Sequence, residues 1–134
     1  MAHPKAEIAD IIIDSTDPDL IAPFWSELLG RPIEGRKGPY VWLRREGSDV
    51  GIGFQKVNEA KDSKNRIHLD VSGPDVMSLW KRVEALGGHR VGGYEEGGFL
   101  VMADPEGNEF CIVPAGSIEL DELGRTNYLW SEEE

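Results

Sequence analysis

Asp10 and His68 are the residues to read first for chemistry, because they occupy equivalent places in a sequence that repeats itself at an offset of 58 residues. A carboxylate beside an imidazole can hold a ring proton or orient the ring for base duty. Either group can also ligate a divalent ion. Asp70 follows His68 by one strand repeat, and Cys111 lies in the last strand of the second copy. His68 has three readings: a metal ligand, a general base, or a hydrogen-bonded pocket histidine. Asp10 has a structural alternative, an ion pair with Arg66. A nucleophilic Cys111 would need a depressed thiol pKa, with His68 the one basic group in view. Otherwise it is a small apolar filler. His3 and His89 have no evident partners and read as surface residues.

The repeat runs without a gap. Asp17 maps onto Asp75, Leu28 onto Leu86, Gly30 onto Gly88 and Gly35 onto Gly93. Residue classes match between these anchors: Ile11 and Ile13 fall on Leu69 and Val71, and Ile52 and Phe54 on Phe110 and Ile112. Such a period means two copies of one supersecondary unit. Two copies are too few for a solenoid, so they are expected to pair into one closed domain. A pseudo-twofold pairing would bring Asp10 and His68 towards its axis.

Each copy reads as strand, helix and three strands. Copy one spans about residues 7–56, a polar linker 57–64, copy two about 65–114, and an unrepeated tail 115–134. Strands are expected near 7–13, 32–35, 40–45 and 50–56, then 66–71, 89–94, 98–103 and 109–114. Asp17-Pro18 opens the first helix, by capping side chain and proline in the first turn, and Pro74-Asp75 opens the second. Gly30 and Gly87-Gly88 close them. The stripes are Leu20, Phe24, Leu28 with Trp25, Leu29, and Val76, Leu79, Trp80, Val83, Leu86. Asp104-Pro105-Glu106-Gly107-Asn108 is a turn. The fold class is therefore α+β: two tandem βαβββ units pairing into one curved-sheet cleft domain.

Strand alternation sorts the side chains. Ile11, Ile13, Val41, Leu43, Ile52, Phe54, Ile67, Leu69, Val71, Phe110 and Ile112 are assigned to the helix side. The opposite faces carry Asp10, Ile12, Tyr40, Trp42, Gly53, Gln55, His68, Asp70 and Cys111. Glu109 shares that parity at the strand mouth and reads as a solvated rim. A mixed apolar and polar wall is what a small-molecule site presents. A bare solvated sheet face is the alternative, but exposed aromatics such as Tyr40 and Trp42 weaken it.

Composition bounds the partners. The formal charge of −11 disfavours nucleic acid and anionic membrane and would suit a cationic ligand. No apolar run approaches a membrane span, and the first residues lack the apolar core of a secretion signal. A single cysteine excludes an internal disulfide and fits a reducing cytoplasm.

The duplicated βαβββ unit and Asp104-Pro-Glu-Gly-Asn108 before the last strand resemble the vicinal oxygen chelate superfamily: glyoxalase I, extradiol dioxygenases, fosfomycin-resistance enzymes and bleomycin-resistance proteins. Ile13-Asp-Ser-Thr-Asp-Pro18, Phe24-Trp25, Phe54-Gln55, Lys64-Asn-Arg-Ile-His-Leu-Asp70 and Asp104–Cys111 are similar to bacterial glyoxalase-like proteins of mostly unassigned substrate. The resemblance covers about residues 7–114. It implies ligands, in metal-using members, from the first, fourth, fifth and eighth strands. Those positions map onto Asp10, Gly53, His68 and Cys111, where glutamate is usual at the last; Gln55 is one pleat beyond Gly53. The resemblance also implies homodimers.

Three functions stay open. One is a glyoxalase-like module that binds a small organic molecule through Asp10, Ile12, Tyr40, Trp42, Gln55, His68, Asp70 and Cys111 without metal. Another is a lyase, transferase or dioxygenase that uses zinc or another divalent ion on Asp10, His68 and Cys111. The third is a metal-free acid–base enzyme with His68 as the catalytic residue. Apolar residues of the tail, Leu120, Leu123, Tyr128, Leu129 and Trp130, are expected to pack on the domain or on a second copy.

Overall fold

The isoleucine run seats the first strand, β1 (Asp10–Ser15). The computed structural model describes residues 4–92, 100–114, 118–120 and 126–128. His3 and the tail residues Leu123, Leu129 and Trp130 lie outside them. The chain divides into two compact units, Met1–Lys61 and Asp62–Glu134, a boundary inside the expected linker.

In the first unit β1 leads into α1 (Pro18–Leu29), β2 (Ile33–Lys37), β3 (Tyr40–Leu43) and β4 (Gly51–Lys56). The sheet order is β1-β4-β3-β2. The last three strands form an antiparallel meander, and β4 returns parallel to β1. Asp17 stands at the N-cap of α1, but its side chain makes no capping hydrogen bond. The Ser15 hydroxyl accepts from the Asp17 N–H instead, at 2.9 Å. Gly30 ends α1 at φ +68°, the left-handed region that glycine takes without strain. Helix α1 packs on β2, β3 and β4. Ile21, Ala22, Phe24 and Trp25 meet a sheet side with buried Val41, Leu43, Ile52 and Phe54. Each large side chain so buried contributes about 1.5–3 kcal/mol. Leu20, assigned to the stripe, is instead half-exposed.

The second unit repeats the plan with β5 (Leu69–Gly73), α2 (Val76–Ala85), β6 (His89–Arg90), β7 (Leu100–Ala103) and β8 (Glu109–Pro114), in the order β5-β8-β7-β6. Strand β8 is parallel to β5. The Asp75 carboxylate caps α2 by accepting from Met77 N–H, Ser78 N–H and the Ser78 hydroxyl. Leu100, Met102, Phe110, Ile112, Val76 and Val83 form the core.

The fifth strand starts three residues later than its alternation suggests. Ladder pairing opens at Leu69 opposite Phe110. Just before it, Asn65 donates its backbone N–H and its side-chain amide to the Glu109 carboxylate and carbonyl. Residues 66–67 consequently bend away, and Ile67, assigned above to the helix side, is 83% exposed. Glu109 is thus an anchor for the linker end rather than a solvated rim.

Two short strands follow, β9 (Ile118–Leu120) and β10 (Thr126–Tyr128), paired antiparallel. The repeat had no counterpart from which to foresee them.

Candidate functional site

On the first sheet, the face opposite α1 is organised in rows by the strand register. Ile12, Gly53, Trp42 and Gly35 line up across β1, β4, β3 and β2. Beside them Asp14, Gln55, Tyr40 and Lys37 form a second row. Register partners point to one side of a sheet, so the rows make one surface. The glycines let large neighbours lie flat. A Cβ on Gly35 would collide with the Trp42 indole, and one on Gly53 would come 3.1 Å from Ile12 Cδ1. Ile12, Tyr40 and Trp42 nonetheless remain 46%, 44% and 39% exposed. An apolar row is therefore offered to solvent, bordered by a row of polar groups.

Asp10 sits at the edge of this face in an ion pair. Its Oδ1 accepts from Arg45 Nη2 at 3.2 Å, and the same guanidinium nitrogen donates to the Ala9 carbonyl at 2.8 Å. The carboxylate lies against Gly51, where a Cβ would collide with it. The partner of Asp10 is thus Arg45, not Arg66.

In the second unit, period-two spacing and the β5–β8 register bring three candidates together. Asp70 is the ladder partner of Cys111. His68, two residues before Asp70, places Nε2 3.3 Å from Asp70 Oδ1. Potential ligand atoms of His68, Asp70 and Cys111 all lie within 4.8 Å of one another. The first two are exposed and Cys111 is buried. Burial, and then the Asp70 carboxylate, push the Cys111 thiol pKa up, while Lys64 opposes. That is the wrong direction for a free nucleophile, which needs thiolate. Asp10 and His68, paired across the repeat on sequence, each find a partner inside their own unit, Arg45 and Asp70.

The Asp104–Asn108 turn is structural. Asp104 is fully buried. Its Oδ1 accepts from the Glu106 and Asn108 N–H groups at 2.9 Å each, and the Asn108 amide bonds both oxygens. With Gly107 at φ +88°, this clasp delivers the chain into β8.

The model of the glyoxalase-like domain matches residues 10–113. The chain belongs to the glyoxalase-like domain family. Solved structures share this vicinal oxygen chelate fold. A glyoxalase-related enzyme from Fulvimarina pelagi is 19% identical, over 92% of this chain and 99% of that chain, with a TM-score of 0.64. A glyoxalase/bleomycin resistance/dioxygenase family enzyme from Burkholderia phytofirmans is 18% identical, over 83% and 100%, at 0.67. Trypanothione-dependent glyoxalase I from Leishmania major is 17% identical, over 82% and 87%, at 0.65. At these identities the likeness speaks for fold alone. No curated protein matches the chain.

The first unit does not suit the ligand pattern of metal-using members. The fourth-strand position is Gly53, packed beneath Ile12, and the first-strand position is Asp10, held by Arg45. Sequence reading missed Arg45, since a strand over 40–45 would set it on the helix side with Val41 and Leu43, whereas β3 ends at Leu43 and leaves Arg45 free of that parity. The alternation of β1 sets Asp14 on this face, although it was not named as a site residue, and Lys37 lay beyond the strand expected at 32–35.

Proposed function

We propose that this chain is a glyoxalase-like protein that binds a small organic molecule and, on its first-unit face, does so without metal. The observation that carries the reading is the exposed apolar row of Ile12 and Trp42, seated over Gly53 and Gly35 and flanked by Tyr40, Gln55 and Asp14. An apolar wall with a few placed polar groups is the usual make-up of a ligand site. A flat body would stack on Trp42, with its polar end towards Gln55, Tyr40 and Asp14. The net charge of −11 favours neutral or cationic molecules over anions. Asp10 trims the edge of the face in its pair with Arg45, while His68, Asp70 and Cys111 gather separately within the second unit.

An acid–base enzyme is the second reading, favoured by the His68–Asp70 pair, in which a carboxylate orients the imidazole. A panel of planar neutral, cationic and anionic organic molecules, read by tryptophan fluorescence, tests the binding. Trp42→Ala is expected to weaken binding by roughly tenfold or more, a loss of about 1.4 kcal/mol per decade, with the melting temperature unchanged. Undiminished affinity in that variant would remove Trp42 from the site. Turnover of a bound molecule that stops in His68→Ala would promote the enzyme.

A further inference from the structure

We infer that the first-unit face takes a zwitterion: a flat organic molecule with an ammonium group at one end and a carboxylate at the other. The inference rests on the binding proposed for that face and adds the charge pattern of the ligand. The polar row that borders Trp42 carries it.

That row crosses all four strands in register, as Asp14, Gln55, Tyr40 and Lys37. Its ends have opposite charge, Asp14 on β1 and Lys37 on β2. Among the described residues, none of these four side chains is engaged in a hydrogen bond or ion pair. Other acids of the same unit are taken: Asp10, Asp19 and Asp49 are matched by Arg45, Arg36 and Arg31. Asp14 and Lys37 stand at opposite edges of the sheet, three strand spacings or roughly 14 Å apart along the backbone. They are too far apart to neutralise each other, so the row stays polarised.

The backbone fixes both ends. Asp14 faces Gln55 in the parallel β1–β4 ladder. Gly38-Pro39 form a two-residue turn that holds Lys37 opposite Tyr40. Between the ends, the Gln55 amide and the Tyr40 hydroxyl can each donate or accept. The apolar row of Ile12 and Trp42 runs parallel, two residues or about 7 Å along the strands. A flat rod laid across the strands therefore rests on the indole with one end towards Asp14 and the other towards Lys37. The flexible stem of Lys37 lets its ammonium reach inward to meet the ligand. A lone carboxylate would meet the repulsion of a chain at −11. A zwitterion has no net charge, so the row rather than the overall field sets its orientation.

The test measures four rods of one shape by calorimetry on the full chain. They are 4′-(aminomethyl)biphenyl-4-carboxylate and the analogues that keep only the amine, only the carboxylate, or neither. The zwitterion is expected to bind tightest, by roughly two- to fivefold over each singly charged probe, as exposed ion pairs allow. Asp14→Asn should lower affinity for the zwitterion and the amine by that factor and leave the carboxylate probe unchanged. Lys37→Gln should do the converse. Both preferences should shrink as salt is raised. Asp19→Asn removes an acid that is paired with Arg36, and should change nothing. Melting temperatures check that the variants are folded. Trp42-dependent binding without charge preference would overturn the zwitterion and leave the face as a binding site. So would a preference that survives Asp14→Asn and Lys37→Gln. Absence of binding by all four rods overturns the inference as well, and the panel of planar molecules above then decides the binding face on its own.

Discussion

Two acidic residues of the second unit behave oppositely once their surroundings are known. Asp70 is an exposed carboxylate beside His68, whereas Asp104 is sealed in the core and accepts from Glu106 and Asn108. Exposure decides what each can be used for. Removing a group that water can replace changes little, but stranding buried donors costs their full desolvation. His68→Ala should therefore move stability by no more than about 0.5 kcal/mol, as surface changes do. Asp104→Ala should cost about 2–4 kcal/mol, because the turn amides lose a charged acceptor. Chemical denaturation of both variants measures the contrast. Equal losses would make His68 a structural residue and withdraw it from every functional reading above.

Elements carry the next set of consequences. The Asp75 cap of α2 accepts from the Ser78 hydroxyl and N–H and from the Met77 N–H, and these bonds hold its pKa below the ordinary 3.8. A lowered folded pKa means that the stabilisation is fully present above the ordinary value and is lost as pH falls through the folded one. The melting-temperature gap between the natural chain and Asp75→Ala should be constant near neutrality and shrink below about pH 4. Asp75→Asn, a neutral cap, should show no such trend. A gap independent of pH would exclude the cap as its source. On the first sheet, Gly35→Ala should push the Trp42 indole off its seat, since the new Cβ and the ring would occupy the same space. The ring is partly exposed and free to swing, so the expected outcome is altered tryptophan fluorescence and weaker ligand binding with little loss of stability. An unchanged emission spectrum would show that the ring does not rest there. Most of these elements were legible in the sequence because a two-residue period and paired proline and glycine signals are local. The offset of 58 then carried the plan from one copy to the other. What was not legible depends on partners distant in the chain. Asn65 captures Glu109 and delays β5, which exposes Ile67. Arg45 captures Asp10 from beyond the end of β3. The trio of His68, Asp70 and Cys111 was readable by parity, but its closeness follows only from the parallel register of β5 on β8.

At the scale of the whole molecule, charge and the tail pull in opposite directions. A chain with net charge −11 repels its own copies, the more so at low salt. We propose that it nevertheless forms a homodimer, and that assembly depends on the tail from Ser117 onward. Repulsion and tail packing are separable, because the tail is itself acidic. Residues 117–134 carry six carboxylates and one arginine, a net −5, so their removal takes the chain from −11 to −6. If charge governed assembly, a chain ending before Ser117 would associate more readily than the intact one. If the tail holds the dimer, the shorter chain becomes monomeric despite its lower charge. Sedimentation at micromolar concentration is expected to give a dimer for the intact chain, strengthened by added salt as the repulsion is screened. The truncated chain should be a monomer at every ionic strength. An intact chain that sediments as a monomer, or a dimer that survives truncation, would remove the tail from any role in assembly.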